Sequence, residues 1–213
     1  MFPPLYAILD AEQGRPAAVS LAEVLADAGV RLIQLRDKRA TAKVIYEVAS
    51  ELNGAMAPRG VRLIVNDRPD IAAMIEAGGV HLGQEDLPVE EARKICGPKR
   101  WVGVSTHNME QFLEADRTSA DYIAVGPIYA TATKENPDPV VGLDFLRAAR
   151  RLTQKPLVAI GGITIESAEA IYRAGADSAA VVRDLVGAHD PAQRAREYLA
   201  IAEHVLSQRD GST

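Results

Sequence analysis

The feature that most constrains this chain is a rhythm. Short apolar runs rich in Val, Ile and Leu recur about every 25 residues from one end to the other. They cover Leu5–Asp10, Arg31–Asp37, Arg62–Asp67, Gly79–Gly83, Arg100–Thr106, Asp121–Pro127, Pro156–Ile163 and Asp177–Val182, and none is longer than eight residues. Runs this short and this apolar read as strands buried on both faces. Between them lie stretches with apolar residues three and four apart. Leu21, Val24, Leu25 and Ala28 form one helical stripe; Ile165, Ala168, Ile171 and Tyr172 form another. Ala28-Gly29-Val30, Ala77-Gly78-Gly79-Val80 and Ala174-Gly175-Ala176-Asp177 each read as a helix closed by Gly and followed at once by a strand. Strands alternating with helices make parallel βαβ units.

Eight such units predict a (β/α)8 TIM barrel, an α/β fold, as a single domain over residues 1–213. The competitor is an open doubly wound sheet, which has fewer strands and often a glycine fingerprint after the first. Here the first run leads into Ala11-Glu12-Gln13-Gly14-Arg15 instead. Asn136-Pro137-Asp138-Pro139 sits inside a strand-to-helix connection and reads as a loop, not a linker. Residues 207–213 read as a polar, flexible tail.

Composition removes other classes. With 47% apolar and 25% charged residues the chain has enough hydrophobic material for a core. No apolar run approaches the ~18 residues of a membrane span, so no membrane association is expected. Met1-Phe2-Pro3-Pro4-Leu5 does not open a signal peptide. The single cysteine, Cys96, can make no internal disulfide, which suits a reducing cytoplasm. A net charge of −5 argues against nucleic-acid binding, so any anion site must be a local cluster.

In a barrel of this type the chemistry sits at the C-terminal ends of the strands. The second run ends in Gln34-Leu35-Arg36-Asp37-Lys38, whose alternation sets Gln34, Arg36 and Lys38 on one side. An arginine fork beside a lysine suits phosphate; a solvated strand end paired with carboxylates is the plainer reading. The third run ends in Asn66-Asp67, with Asp70 in the first turn of the following helix. The loop after the fourth holds Asp86, either a helix cap followed by Pro88 in the first turn, or a partner for Asp67. Neighbouring strands allow the two carboxylates to converge, and such a pair beside Arg and Lys describes Mg2+ bridging to a pyrophosphate. Zinc is not expected without Cys or His clusters. The loop after the sixth run supplies Thr131, Thr133 and Lys134, a phosphate-like set on a segment able to close over a substrate, or an ordinary surface loop. Gly161-Gly162 before a helix lets backbone N–H groups approach a phosphate. Ser105 reads as a hydroxyl lining the pocket; Ser105 and His107, two apart on an extended segment, are not placed to bond each other. Thr106 or Asn108 caps the next helix. His81 reads as a satisfied interior group, and Trp101 and most of the six tyrosines as packing residues.

The strings IQLRDK (33–38), LIVNDRPDIA (63–72), GVHLGQEDLP (79–88), GVSTHN (103–108), ADYIAVGPIYATATK (120–134), VGLDFL (141–146) and AIGGI (159–163) together resemble the thiamine-phosphate synthase family, in order and spacing, up to about residue 186. The resemblance implies a (β/α)8 barrel that joins 4-amino-5-hydroxymethyl-2-methylpyrimidine pyrophosphate to 4-methyl-5-(2-hydroxyethyl)thiazole phosphate with Mg2+. It implies that Gln34, Arg36, Lys38, Asn66 and Lys134 hold the pyrimidine pyrophosphate, and that Asp67 and Asp86 ligate the metal. Ser105 and Lys134 would serve at the reacting centre. Thr131, Thr133, Gly162, Val182 and Arg183 would receive the thiazole phosphate. Arg183 departs from the family pattern, which usually has serine there. Competing readings are a thiazole tautomerase paralogue, a non-catalytic barrel binding thiamine-related phosphates, and another phosphate-handling barrel. The tautomerase needs an acid/base residue where this chain has Pro127. The partners implied are two phosphorylated small molecules in the cytoplasm, with a homo-oligomer left open.

Overall fold

In a computed structural model of the chain, which describes residues 2–10, 15–131 and 138–210, all eight apolar runs are strands. They are β1 Leu5–Asp10, β2 Leu32–Arg36, β3 Arg62–Asn66, β4 Gly79–Leu82, β5 Trp101–Thr106, β6 Tyr122–Val125, β7 Leu157–Ile160 and β8 Ser178–Val181. Each pairs in parallel with the next, and β8 pairs back onto β1 through Tyr6 opposite Ala180, so the sheet closes. Several strands end before their apolar runs do. The last residues of those runs, Asp67, Gly83, Pro127 and Val182 among them, leave the ladder to form the mouth of the barrel.

The crossover helices are α1 Arg15–Asp27, α2 Ala42–Met56, α3 Pro69–Met74, α4 Val89–Cys96, α5 Met109–Asp116, α6 Gly142–Leu152 and α7 Ile165–Arg173. A short α8, Arg183–Val186, follows β8, and α9, Pro191–Asp210, completes the ring. Asn108 caps α5 by accepting from the Gln111 N–H at 2.9 Å. Helix α9 runs to Asp210, past Ser207, where the sequence predicts a flexible tail to begin. Among the described residues no helix is long and apolar enough to cross a membrane.

Apolar side chains pack in two zones, which is why the strands read as continuous runs rather than alternations. The outer zone joins strands to helices, with Ile33, Leu63 and Val80 against Leu52, Ile71 and Phe112. The inner zone fills the bore with Tyr6, Ile8, Leu32, Ile64, Tyr122 and Val158. At its N-terminal end Phe2 stacks on Trp101 with ring centroids 5.0 Å apart, and Arg62 lies 3.9 Å over the same indole. Gly103 makes room in the bore: a Cβ there would lie 2.0 Å from the Tyr122 ring.

Two aspartates lock the N-terminal rim. Asp121 accepts from the Val102 N–H at 2.7 Å and pairs with Arg93 of α4. Asp177 accepts from the Leu157 N–H at 2.8 Å and pairs with Arg150 of α6 at 2.8 Å. The same device thus ties a helix to two strands at two places around the barrel.

Candidate active site

The C-terminal strand ends surround a cavity of about 980 Å³. From β2, Gln34, Arg36 and Lys38 all line it, as their alternation requires. Arg36 is held from the side by Asp10 of β1 at 2.9 Å. Lys38 reaches across to Asp67, with Nζ 3.2 Å from Oδ2. Asn66 closes β3 on the same wall. Asp67 has φ 59°, a left-handed conformation that Asp tolerates better than bulkier residues. Its N–H donates to the His81 carbonyl at 2.8 Å, which fixes the tip of β3 to β4.

Asp86 is not a helix cap. Helix α4 begins at Val89 with Pro88 at the cap position, not in the first turn, and the Asp86 carboxylate turns back to accept from the Gly83 N–H at 2.7 Å. There it faces Asp67. Burial, first, and then the hydrogen bond and charge of Asp86 push the Asp67 carboxyl up to about 6, against the opposing pull of Lys38. Two carboxylates facing each other with one lysine beside them leave the site short of positive charge.

The opposite wall comes from β5 to β8. Ser105, Thr131, Gly162, Val182 and Arg183 all line the cavity; Thr133 and Lys134 lie outside the described residues. The loops after β6 and β7 are joined backbone to backbone. Ile128 donates to the Ile160 carbonyl at 2.9 Å and Tyr129 to the Gly161 carbonyl at 3.0 Å. Gly162, at φ 64°, sits so close to this seam that a Cβ would lie 2.4 Å from the Ala130 carbonyl oxygen. Behind Arg183, Asp184 accepts from Arg194 at 2.9 Å and from Tyr198 at 2.8 Å, so α9 anchors α8 at the cavity edge.

Sequence reasoning missed the floor of the site. Tyr6 and Tyr122, read as packing residues, have their hydroxyls 3.0 Å apart in the bore. Gln34 donates to Tyr6 at 2.6 Å, and Tyr122 meets His81 Nδ1 at 3.0 Å. His81 is indeed satisfied inside the barrel, and its Nε2 lies 2.8 Å from Ser105 Oγ. The partner of Ser105 is therefore His81 from the adjacent strand; His107 instead bonds the Gly126 carbonyl at 2.6 Å. Tyr172 and Tyr198 also spend their hydroxyls, on the Pro4 carbonyl at 2.8 Å and on Asp184. The available signal was phase: Tyr6, Gln34, His81, Ser105 and Tyr122 all fall at inward positions of their strands.

The family model described as thiamine monophosphate synthase matches residues 5–185. The chain belongs to the thiamine-phosphate synthase family. A thiamine-phosphate synthase of Koribacter versatilis is 52% identical over 204 residues, covering 93% of this chain and 95% of the relative. One from Chloroflexus aurantiacus is 43% identical over 198 residues, covering 92% and 91%. A solved thiamine phosphate pyrophosphorylase from Pyrococcus furiosus superposes with a TM-score of 0.84 at 33% identity, over 95% of this chain and 96% of that one. The alignment with this family thus takes in β1 through α8, every strand that contributes to the cavity.

Proposed function

We propose that the chain condenses 4-amino-5-hydroxymethyl-2-methylpyrimidine pyrophosphate with 4-methyl-5-(2-hydroxyethyl)thiazole phosphate, releasing thiamine phosphate and pyrophosphate. The observation that carries this reading, beside the family, is the Asp67–Asp86 pair with Arg36 and Lys38 on one wall of a cavity whose far wall is a glycine-rich backbone seam. One wall suits a pyrophosphate and its cation; the other suits a single phosphate.

The donor set fits Mg2+, which takes one or two carboxylates and completes its shell with phosphate oxygens and water. Asp67 and Asp86 would hold it, and when bound it neutralises charge gathering on the departing pyrophosphate. Arg36, Lys38, Asn66 and Lys134 would bind pyrophosphate oxygens. Arg36 is prepared for this by Asp10, which fixes one guanidinium nitrogen. Gln34 and Ser105 would meet the pyrimidine ring. Thr131, Thr133, the Gly162 backbone, Val182 and Arg183 would seat the thiazole phosphate. The C–O bond to pyrophosphate breaks with its electron pair on the leaving oxygen and leaves a resonance-stabilised pyrimidinylmethyl cation. The thiazole nitrogen then gives its lone pair to that carbon. The protein holds two rings face to face and stabilises the leaving group; no protein nucleophile is required. Both substrates are soluble anions, and a reducing cytoplasm suits the single buried Cys96.

The test is direct. Purified protein with both substrates and Mg2+ should release thiamine phosphate and pyrophosphate in equal amounts, and chelation should stop it. Folded protein that yields neither product would overturn the proposal.

A further inference from the structure

We propose that Gln34, Tyr6, Tyr122, His81 and Ser105 form a one-way hydrogen-bond relay under the active site. Its direction makes Ser105 a hydrogen donor, and the Gln34 amide oxygen an acceptor, toward the substrate ring. The five side chains come from β2, β1, β6, β4 and β5, and the links measure 2.6, 3.0, 3.0 and 2.8 Å in that order. Gln34, Tyr6, Tyr122 and His81 are buried, so water cannot substitute for a missing partner. Only the two ends, Gln34 and Ser105, together with the edge of His81, line the cavity.

Direction follows from proton counting. A phenol has one proton to give, and a neutral imidazole carries one N–H and one bare nitrogen. Gln34 Nε2 donates to Tyr6, so the Tyr6 proton points to the Tyr122 oxygen. The Tyr122 proton is then committed to His81 Nδ1, which leaves the imidazole proton on Nε2. His81 Nε2–H donates to Ser105 Oγ, and the serine proton is left for the cavity. With Gln34 as donor, reversing a middle link would leave a buried phenol accepting twice with its own proton unpartnered. Reversing the last would leave the imidazole without a proton, so this is the direction in which every buried proton finds an acceptor. Burial pushes both phenols above their ordinary range, so both stay protonated and able to donate.

Two consequences follow. Ser105 is not a nucleophile activated by His81, because the histidine already donates to it. The two open ends select a ring that offers an exocyclic N–H to Gln34 and an unprotonated ring nitrogen to Ser105. An aminopyrimidine carries both groups; a hydroxypyrimidine in its keto form offers the wrong polarity at one of them. This deepens, and rests on, the pyrimidine reading of the site. Tyr6, Tyr122 and His81 act through Gln34 and Ser105, as positioning residues.

The experiment is nitrogen-15 NMR of histidine-labelled protein, with the His81 signals assigned by their loss in His81→Gln. The relay requires one neutral tautomer with the proton on Nε2; an Nδ1–H tautomer or an imidazolium at neutral pH would overturn it. Tyr122→Phe keeps the ring and cuts the middle link. It should release the tautomer into a mixture and lower kcat/KM for the pyrimidine pyrophosphate by about tenfold, the low end for an unsatisfied buried partner. The KM for thiazole phosphate should not move. A variant that keeps a pure Nε2–H tautomer and the wild-type pyrimidine KM would also overturn the relay. Should Tyr122→Phe fail to fold, the wild-type tautomer still decides. Wild-type protein that shows the Nε2–H tautomer but makes no thiamine phosphate would overturn the function and leave the relay standing.

Discussion

Asp67 is the residue whose environment asks most plainly for a missing charge. Its carboxyl is raised from the ordinary 3.8 to about 6 by burial and by Asp86. Below pH about 4 the folded and unfolded chains both carry the proton, and the group contributes nothing. Between about 4 and 6 the unfolded chain has lost the proton while the folded chain keeps it, so stability falls as pH rises; above 6 the penalty is constant. Asp67→Asn should therefore raise the Tm in chelator at pH 7, with the gain vanishing as pH is lowered toward 4. Mg2+ should raise the wild-type Tm and not that of the variant, whose turnover should fall by about a hundredfold or more. A pH-independent Tm difference would remove Asp67 from this role. Arg183 gives a second test: Arg183→Ser should weaken thiazole phosphate binding several-fold without changing the KM for the pyrimidine. Equal changes in both would take it out of that subsite. Asp67, Asp86, Arg36 and Lys38 were legible because a charged residue just past an apolar run has no packing role to explain it. Tyr6 and Tyr122 were not, because a tyrosine inside such a run looks like a core residue. What makes it polar is a partner 116 positions away that only the closed barrel supplies.

At the scale of elements, the order and type of the eight strands were legible, since each is a short apolar run, and so were the helices whose stripes stand out, α1 and α7. The short α8 carries no stripe and was not. Nor were the ends. Strand β7 stops at Ile160 although the apolar run continues to Ile163, because Gly161 and Gly162 take up positive φ and turn toward the loop after β6. The helix-cap alternative for Asp86 failed for a similar reason: its carboxylate turns back to Gly83, a turn the local sequence does not announce, and that turn leaves it facing Asp67. The N-terminal rim was not foreseen in its particulars either. There Asp177 serves both as acceptor for the Leu157 N–H and as ion partner of Arg150, and the arginine also donates to the Thr153 and Lys155 carbonyls. Arg150→Ala leaves a largely buried carboxylate with one partner fewer and two carbonyls short of a donor. The loss should be about 2 kcal/mol of unfolding free energy in a urea titration. Because this rim is remote from the cavity, kcat should be unchanged. A variant with wild-type stability and impaired turnover would invert the division of labour between the two ends of the barrel.

For the molecule as a whole, the net charge of −5 says little about its ligands, since Arg36 and Lys38 concentrate positive charge where the carboxylates lie. Closure says more. A barrel has no sheet edge, so each strand is supported on both sides, and the last helix must cover the seam where β8 meets β1. Helix α9 does this by packing on α7 and α1 with Ala195, Tyr198, Ala202 and Val205 fully buried. Arg209 adds a bond to the Ala176 carbonyl at 2.8 Å, at the start of the loop into β8. Burying the larger side chains and the helix faces they cover contributes about 5–10 kcal/mol before the entropy of ordering the helix is counted. That gross term is as large as the whole net stability of an ordinary domain. The same helix holds Asp184, and through it the end of the cavity that carries Arg183. Deleting residues 191–213 should therefore not trim a tail. It should abolish cooperative thermal unfolding and expose the β1–β8 seam, giving aggregates on size exclusion and dye binding to apolar surface. A truncated chain that stays monomeric and unfolds in one sharp transition would show that the barrel closes without its last helix.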